Sequence, residues 1–172
     1  MRPLGRCIVF VALTMCAVPS ALAAITCTPS NTTVNFGPYD VLSGATLPAT
    51  GSIVITCTNV NVRTSRVTYS VALAITPARQ MAPPAGSDRI AYQLYLDSAH
   101  TQVWGDGTGG TYTITGGLRV RRNRSASSAP INYYGLITPG GQDVSAASPG
   151  PAPTTYAQTL TLTVTCRPAR RC

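Results

Sequence analysis

Thr159-Leu160-Thr161-Leu162-Thr163-Val164-Thr165-Cys166 alternates polar and apolar residues without an error. Successive side chains of a strand point to opposite faces, so Leu160, Leu162, Val164 and Cys166 are predicted to face a core and the threonines to face away. A second run, Val67-Thr68-Tyr69-Ser70-Val71-Ala72-Leu73-Ala74-Ile75, repeats the pattern with Val67, Tyr69, Val71, Leu73 and Ile75 inward. Working outward, Ser52 to Cys57 and Ile90 to Leu96 read as strands, with weaker ones at Tyr112 to Thr115, Leu118 to Arg122 and Ile131 to Leu136. An opening strand falls within Ile25 to Phe36, which gives seven or eight. Gly37-Pro38, Pro83-Pro84, Gly105-Asp106-Gly107, Gly109-Gly110, Gly116-Gly117 and Pro139-Gly140-Gly141 punctuate the gaps as turns. Short strands divided in this way point to an antiparallel sandwich.

Composition agrees. The 172 residues suit one domain. Charged residues are only 10%, every base is Arg and every acid is Asp, so the Glu and Lys of surface helices are missing. The all-β class follows. Arg2 and Arg6, an apolar stretch from Cys7 to Val18 and the small-residue site Ala21-Leu22-Ala23 read as a secretory signal over residues 1–23. That apolar stretch, about 12 residues, is short of the roughly 20 that span a bilayer, and no membrane span is expected after signal removal. The remainder keeps 11 Arg against five Asp, a net +6, and four cysteines, Cys27, Cys57, Cys166 and Cys172. In an oxidising compartment four cysteines allow three pairings, of which Cys27 with Cys57 and Cys166 with Cys172 is the one expected. No CxxC or Cys/His cluster suggests a metal, and no cofactor is expected. Residues 145–155, rich in Ser, Ala and Pro, are expected to form a mobile loop. The basic tail 167–172 contains Pro168 and is expected to leave the last strand ending at Cys166.

Chemistry is sparse. One His, no Lys, no Glu and five scattered Asp make a thin inventory for catalysis, and no enzyme is expected. Asp97, His100 and Asp106 form the densest polar group, but a strand end followed by a turn, with Asp106 bonding its own backbone and Gly107 at positive φ, accounts for it. Arg119, Arg121, Arg122 and Arg124 put four positive charges into six residues. They read as a solvated strand edge that discourages aggregation, or as a patch for an anionic glycan or surface. Nucleic acid is not expected, because the patch lacks interleaved aromatics.

Several segments together resemble the spore coat protein U domain family, which includes subunits of archaic chaperone–usher pili. They are Phe36-Gly37-Pro38-Tyr39-Asp40 after Cys27, Val54 to Thr58, Arg79-Gln80-Met81, Tyr92-Gln93-Leu94-Tyr95-Leu96-Asp97 leading to Trp104-Gly105-Asp106-Gly107, Tyr134-Gly135-Leu136, and Tyr156 with the closing strand. The resemblance covers nearly all of 25–166. It implies an incomplete immunoglobulin-like antiparallel β-sandwich over residues 24–166 that lacks its last strand. A periplasmic chaperone would lend that strand, an outer-membrane usher would assemble the fibre, and a neighbouring subunit would then supply the strand. Export to the periplasm and then to the cell surface or fimbrium, with a role in adhesion or biofilm formation, is the implied course. Cleavage after Ala23 would leave three residues before Cys27, a departure that suits a terminal or tip position. Gln158, where the family often has Asp, is a further departure. The alternative expectation is a self-complete secreted domain that uses the arginine patch to hold an anionic glycan.

Overall fold

A computed structural model of the chain describes residues 24–40, 43–63, 65–76, 78–84, 87–140, 142 and 156–168. The expected signal segment, the loop 145–155 and Cys172 lie outside the described residues. The fold is all-β and antiparallel. Its strands are β1 (Ala24–Pro29), β2 (Leu47–Ile53), β3 (Ile55–Val60), β4 (Ser65–Leu73), β5 (Gln80–Met81), β6 (Ile90–Ala91), β7 (Gln93–Tyr95), β8 (Ile114–Val120), β9 (Ser125–Ser127), β10 (Ile131–Ile137) and β11 (Leu162–Pro168).

Two layers pack face to face as a sandwich. In the first, the sheets β1-β3-β9 and β2-β10-β7 lie end to end, because β2 runs into β3 through Val54 and β9 into β10 through 128–130. Ser128 carries the ladder across the join: its N–H donates to Ile55 O (2.9 Å) and its Oγ accepts from Ile55 N (3.0 Å). The second layer is β11-β4-β8. A short pair, β5-β6, flanks them. Between the layers Ile53, Ile55, Cys57, Val67, Val71 and Val120 are fully buried and Trp104 is 1% exposed. Each such aliphatic side chain stabilises the fold by about 1.5–3 kcal/mol. Among the described residues no helix is long and apolar enough to cross a membrane.

Several expected strands differ from those observed. The single strand read at 52–57 is two, and it starts earlier, at Leu47, despite Pro48 and Gly51. The stretch 90–96 divides at Tyr92, with β6 joining β5 and β7 joining β10. Ile75 is exposed because β4 ends at Leu73. The last strand begins at Leu162 and continues past Cys166, since Arg167 and Pro168 pair with Thr68 and Val67; Pro is tolerated there because β11 is an edge.

The turn expected at Gly116-Gly117 is the middle of β8. Gly116 sits opposite Tyr69 in register, and a Cβ built on it would fall 2.3 Å from the Tyr69 hydroxyl. Glycine is there to admit a ring. The same device recurs where Gly51 faces Tyr133, with a Cβ 2.4 Å from Cζ, so two tyrosines lie flat over bare backbone in the two layers.

Candidate functional site

The opening strand expected over Ile25 to Phe36 is paired only to Pro29. Beyond it the chain stays extended and keeps its alternation: Thr32, Val34 and Phe36 are half-buried, while 31, 33 and 35 are exposed. Ahead of β11 the same happens, with Tyr156, Gln158 and Leu160 half-buried and 157, 159 and 161 exposed. These two stretches form facing rails. Among the described residues, 31–36 and 159–160 make no backbone–backbone hydrogen bond. A cavity of about 360 Å³ lies between the rails, walled by Val34, Phe36, Leu160 and Leu162 and floored by Leu73 and Trp104. The apolar face of β11 is accordingly incomplete, for Leu160, Leu162, Val164 and Cys166 all reach the core and none is fully covered.

Polar anchors hold each rail. Thr32 Oγ1 donates to Ser52 O (2.6 Å) and lies 2.6 Å from the Tyr133 hydroxyl. Burial raises the Tyr133 phenol above its ordinary value, with the Thr32 bond pulling it back. On the other side Gln158 is a hub. Its Oε1 accepts from Gln80 N (2.9 Å) and from the Tyr92 hydroxyl (2.8 Å), and its Nε2 donates to Ala78 O (2.8 Å). A carboxylate at this position would accept the first two bonds but has no proton for the third. Ala157 and Ala82 exchange two backbone bonds of 2.9 and 3.1 Å, and Met81, beside them, lines the cavity. The Tyr156 hydroxyl donates to Asp88 Oδ2 (3.3 Å).

The motif residues build the floor. The Arg79 guanidinium donates to Gln93 Oε1 and Trp104 O. Burial lowers its pKa, which the phenols of Tyr92 and Tyr95 partly offset, and burial raises that of Tyr92. Trp104 in turn donates from its indole to Val71 O (3.2 Å). Phe36 stands edge-on to Tyr92 at 5.7 Å, over Gly135, where a Cβ would come within 2.7 Å of its ring. Gly37 turns the chain at φ +70°, its N–H bonded to Asn35 Oδ1 (2.9 Å), and Tyr39 follows half-buried.

Asp97 and Asp106 spend their oxygens on their own loops. Asp97 accepts from Thr101 N, Thr101 Oγ1 and Gln102 N at 2.7–3.1 Å. Asp106 accepts from Thr108 N (2.9 Å) and Oγ1 (2.7 Å), with Gly107 at φ +88°. His100, at φ +56°, stacks edge-on to Tyr95 (5.0 Å) and Tyr134 (6.4 Å). The hairpin they form carries Trp104 into the core. Gly105 approaches Thr111 too closely for any side chain.

Cys27 and Cys57, in register across β1 and β3, are disulfide-bonded. Cys166 is a free thiol that donates to Ile25 O (3.4 Å), so its expected bond to Cys172 is not present at the one end that lies within the described residues. Arg119, Arg121, Arg122 and Arg124 are all exposed and lie away from the groove. The strand expected over Ile25 to Phe36 covers the groove's first wall, but sequence reasoning missed that 31–36 stays without a backbone partner among the described residues, because alternation marks an extended chain and not what pairs with it.

Residues 12–163 match the profile described as the Spore Coat Protein U domain. The chain is also 31% identical over 146 residues to "Protein U" of Myxococcus xanthus, an alignment that covers 77% of this chain and 71% of that protein.

Proposed function

Because the chain belongs to the Spore Coat Protein U domain family, we propose that it is a structural subunit of an archaic chaperone–usher pilus or related surface fibre, completed by a strand from another protein. One observation carries the reading: two extended rails, whose backbone groups at 31–36 and 159–160 meet no backbone partner among the described residues, flank an apolar groove of about 360 Å³. An added strand satisfies such groups and buries alternate side chains between them. Each apolar side chain it seats contributes about 1.5–3 kcal/mol before the cost of association is subtracted. The chain is exported, meets a periplasmic chaperone and an outer-membrane usher, and reaches the surface to serve adhesion or biofilm formation.

The test is co-expression of the chain with the pilus chaperone of its own organism. Recovery of a one-to-one complex, abolished by Leu162→Arg in the groove wall and unaffected by Thr163→Arg on the opposite face, supports the reading. A protein that unfolds cooperatively as a lone monomer with several kcal/mol in hand, and that captures no chaperone, sinks it.

A further inference from the structure

Away from the groove, the outward face of the β11-β4-β8 layer gathers arginines from four places in the sequence. Arg66 on β4 and Arg119 on β8 are directly opposite in register, and Arg167 on β11 pairs with Thr68, two residues along β4 from Arg66. All three are exposed. Outward side chains on such a sheet stand about 5 Å apart across strands and about 7 Å apart along them. Like charges set opposite one another are unfavourable in a sheet, and no carboxylate among the described residues bonds to any of these arginines.

Two turns add to this face and are held in place from inside. Arg63 follows β3, and Arg121, Arg122 and Arg124 lie in the β8–β9 turn. Asn59, only 1% exposed, joins them: its Oδ1 accepts from Val62 N (3.1 Å) and its Nδ2 donates to Arg63 O (3.5 Å) and Val120 O (3.4 Å). Its own N–H donates to Arg124 O (3.0 Å), and Asn123 Oδ1 accepts from Asn61 N (2.7 Å). Asn61 and Asn123 take φ of 59° and 52°, a left-handed conformation that asparagine tolerates. The arginines are therefore presented by a fixed frame, not by independent loops.

Beside them runs a shallow trough of about 550 Å³, edged by the hydroxyls of Thr68, Ser70, Thr115 and Thr165 and closed by Arg167. Hydroxyls in a row suit sugar hydroxyls, and guanidinium forks bind carboxylate or sulfate bidentately. Among the described residues the one aromatic lining the trough, Tyr69, is buried with its ring over Gly116 and offers no face for stacking; of the large exposed apolar side chains Val60 lies near it, while Ile75 and Tyr112 lie beyond the ends of β4 and β8 that are far from Arg66 and Arg119. That set of groups fits neither a nucleic-acid base nor a lipid interior.

We infer that this face binds an anionic polysaccharide, its acidic groups spanning Arg66, Arg119 and Arg167 and its sugar rings lying along the hydroxyl trough. The site is larger than the cluster at 119–124 and independent of strand acceptance at the groove.

The experiment measures binding of the exported protein to immobilised dextran sulfate, with neutral dextran as the reference and anionic phosphatidylglycerol vesicles as the competing surface. Arg66→Ser combined with Arg119→Ser is expected to weaken binding about tenfold or more. Arg119→Ser alone should weaken it, whereas Arg89→Ser, which removes the same charge from elsewhere, should leave it within about twofold. Unchanged thermal unfolding of the variants separates lost contact from lost fold. Equal losses for Arg119→Ser and Arg89→Ser, binding to neutral dextran as strong as to the sulfate, or binding to vesicles without binding to dextran sulfate would each overturn the inference.

Discussion

Replacing Gly116 by Ala adds one methyl group to a strand, a change that ordinarily favours β structure by about 0.5–1 kcal/mol. Here it should do the reverse. The new Cβ would lie 2.3, 2.4 and 2.9 Å from Oη, Cζ and Cε2 of Tyr69, where contact between carbons needs about 3.5–4.0 Å. The ring must retreat by roughly 1 Å, and at 6% exposure it has packed neighbours behind it. Overpacking of this kind costs about 1–3 kcal/mol, so we expect Gly116→Ala to destabilise by about 1–1.5 kcal/mol after the strand preference is offset. The neighbouring Gly117→Ala is the control. Its Cβ meets only Val67 O at 3.4 Å, so its effect should run from neutral to the ordinary strand gain of about 0.5–1 kcal/mol. Urea unfolding followed by the fluorescence of Trp104, the one tryptophan, reads both. In the background of Tyr69→Ala, which by itself should cost about 3–5 kcal/mol, the penalty at Gly116 should vanish. A Gly116→Ala protein as stable as its parent, or a penalty that persists without the ring, would refute the reasoning and return these glycines to a turn.

Removing the disulfide by Cys27→Ala with Cys57→Ala opens a loop of 30 residues and should cost roughly 3–4 kcal/mol, read as a shift in the urea midpoint. Asn59→Ala strands buried partners of both arginine turns and should cost about 2–3 kcal/mol, with amide exchange at Val62 accelerating before the core opens. Hydrogen bonds from Thr108 hold the Asp106 carboxyl below the usual aspartate value. A depressed folded pKa gives stability that is present above the unfolded value and is lost as pH falls through the folded one. Acidification through that window should therefore release the 106–111 loop, seen as a change in the Thr108 amide resonance, and Asp106→Ala should show the released state already at neutral pH.

Much of the architecture was legible because burial leaves a period of two in sequence. The alternation through Tyr69 and through Leu162 identified the central strand and the last one, and cysteine number with compartment pointed to Cys27 and Cys57. Illegible features had a common cause, in that each depends on what lies across the sheet. Gly116-Gly117 looks like a turn until Tyr69 is seen above it. The apolar run Ile53-Val54-Ile55 cannot reveal that the chain passes there from one set of partners to another. Pro168 reads as a breaker, yet it pairs within an antiparallel strand, at an edge where no further N–H is needed. At the candidate site, the conspicuous motif from Tyr92 to Gly107 forms the groove's floor, while its walls join Phe36, the head of a motif segment, to the plain Val34, Leu160 and Leu162, in which nothing announces a missing partner.

The first rail has an uneven mechanical footing. Near Cys27 it is bolted to β3 by the disulfide and the β1 ladder, and Ser30 N–H still reaches Val54 O at 2.8 Å. Thr32 is the last pin. From there to Phe36 the chain projects like a beam clamped at one end, steadied by side-chain packing, Val34 against the core and Phe36 edge-on to Tyr92. A guest too wide for the groove would bend this free length without breaking into the core, and the bend would grow from Thr32 toward Phe36. Tolerance for bulky side chains should thus rise along the groove, strictest beside the clamp and most forgiving beneath the aromatic end.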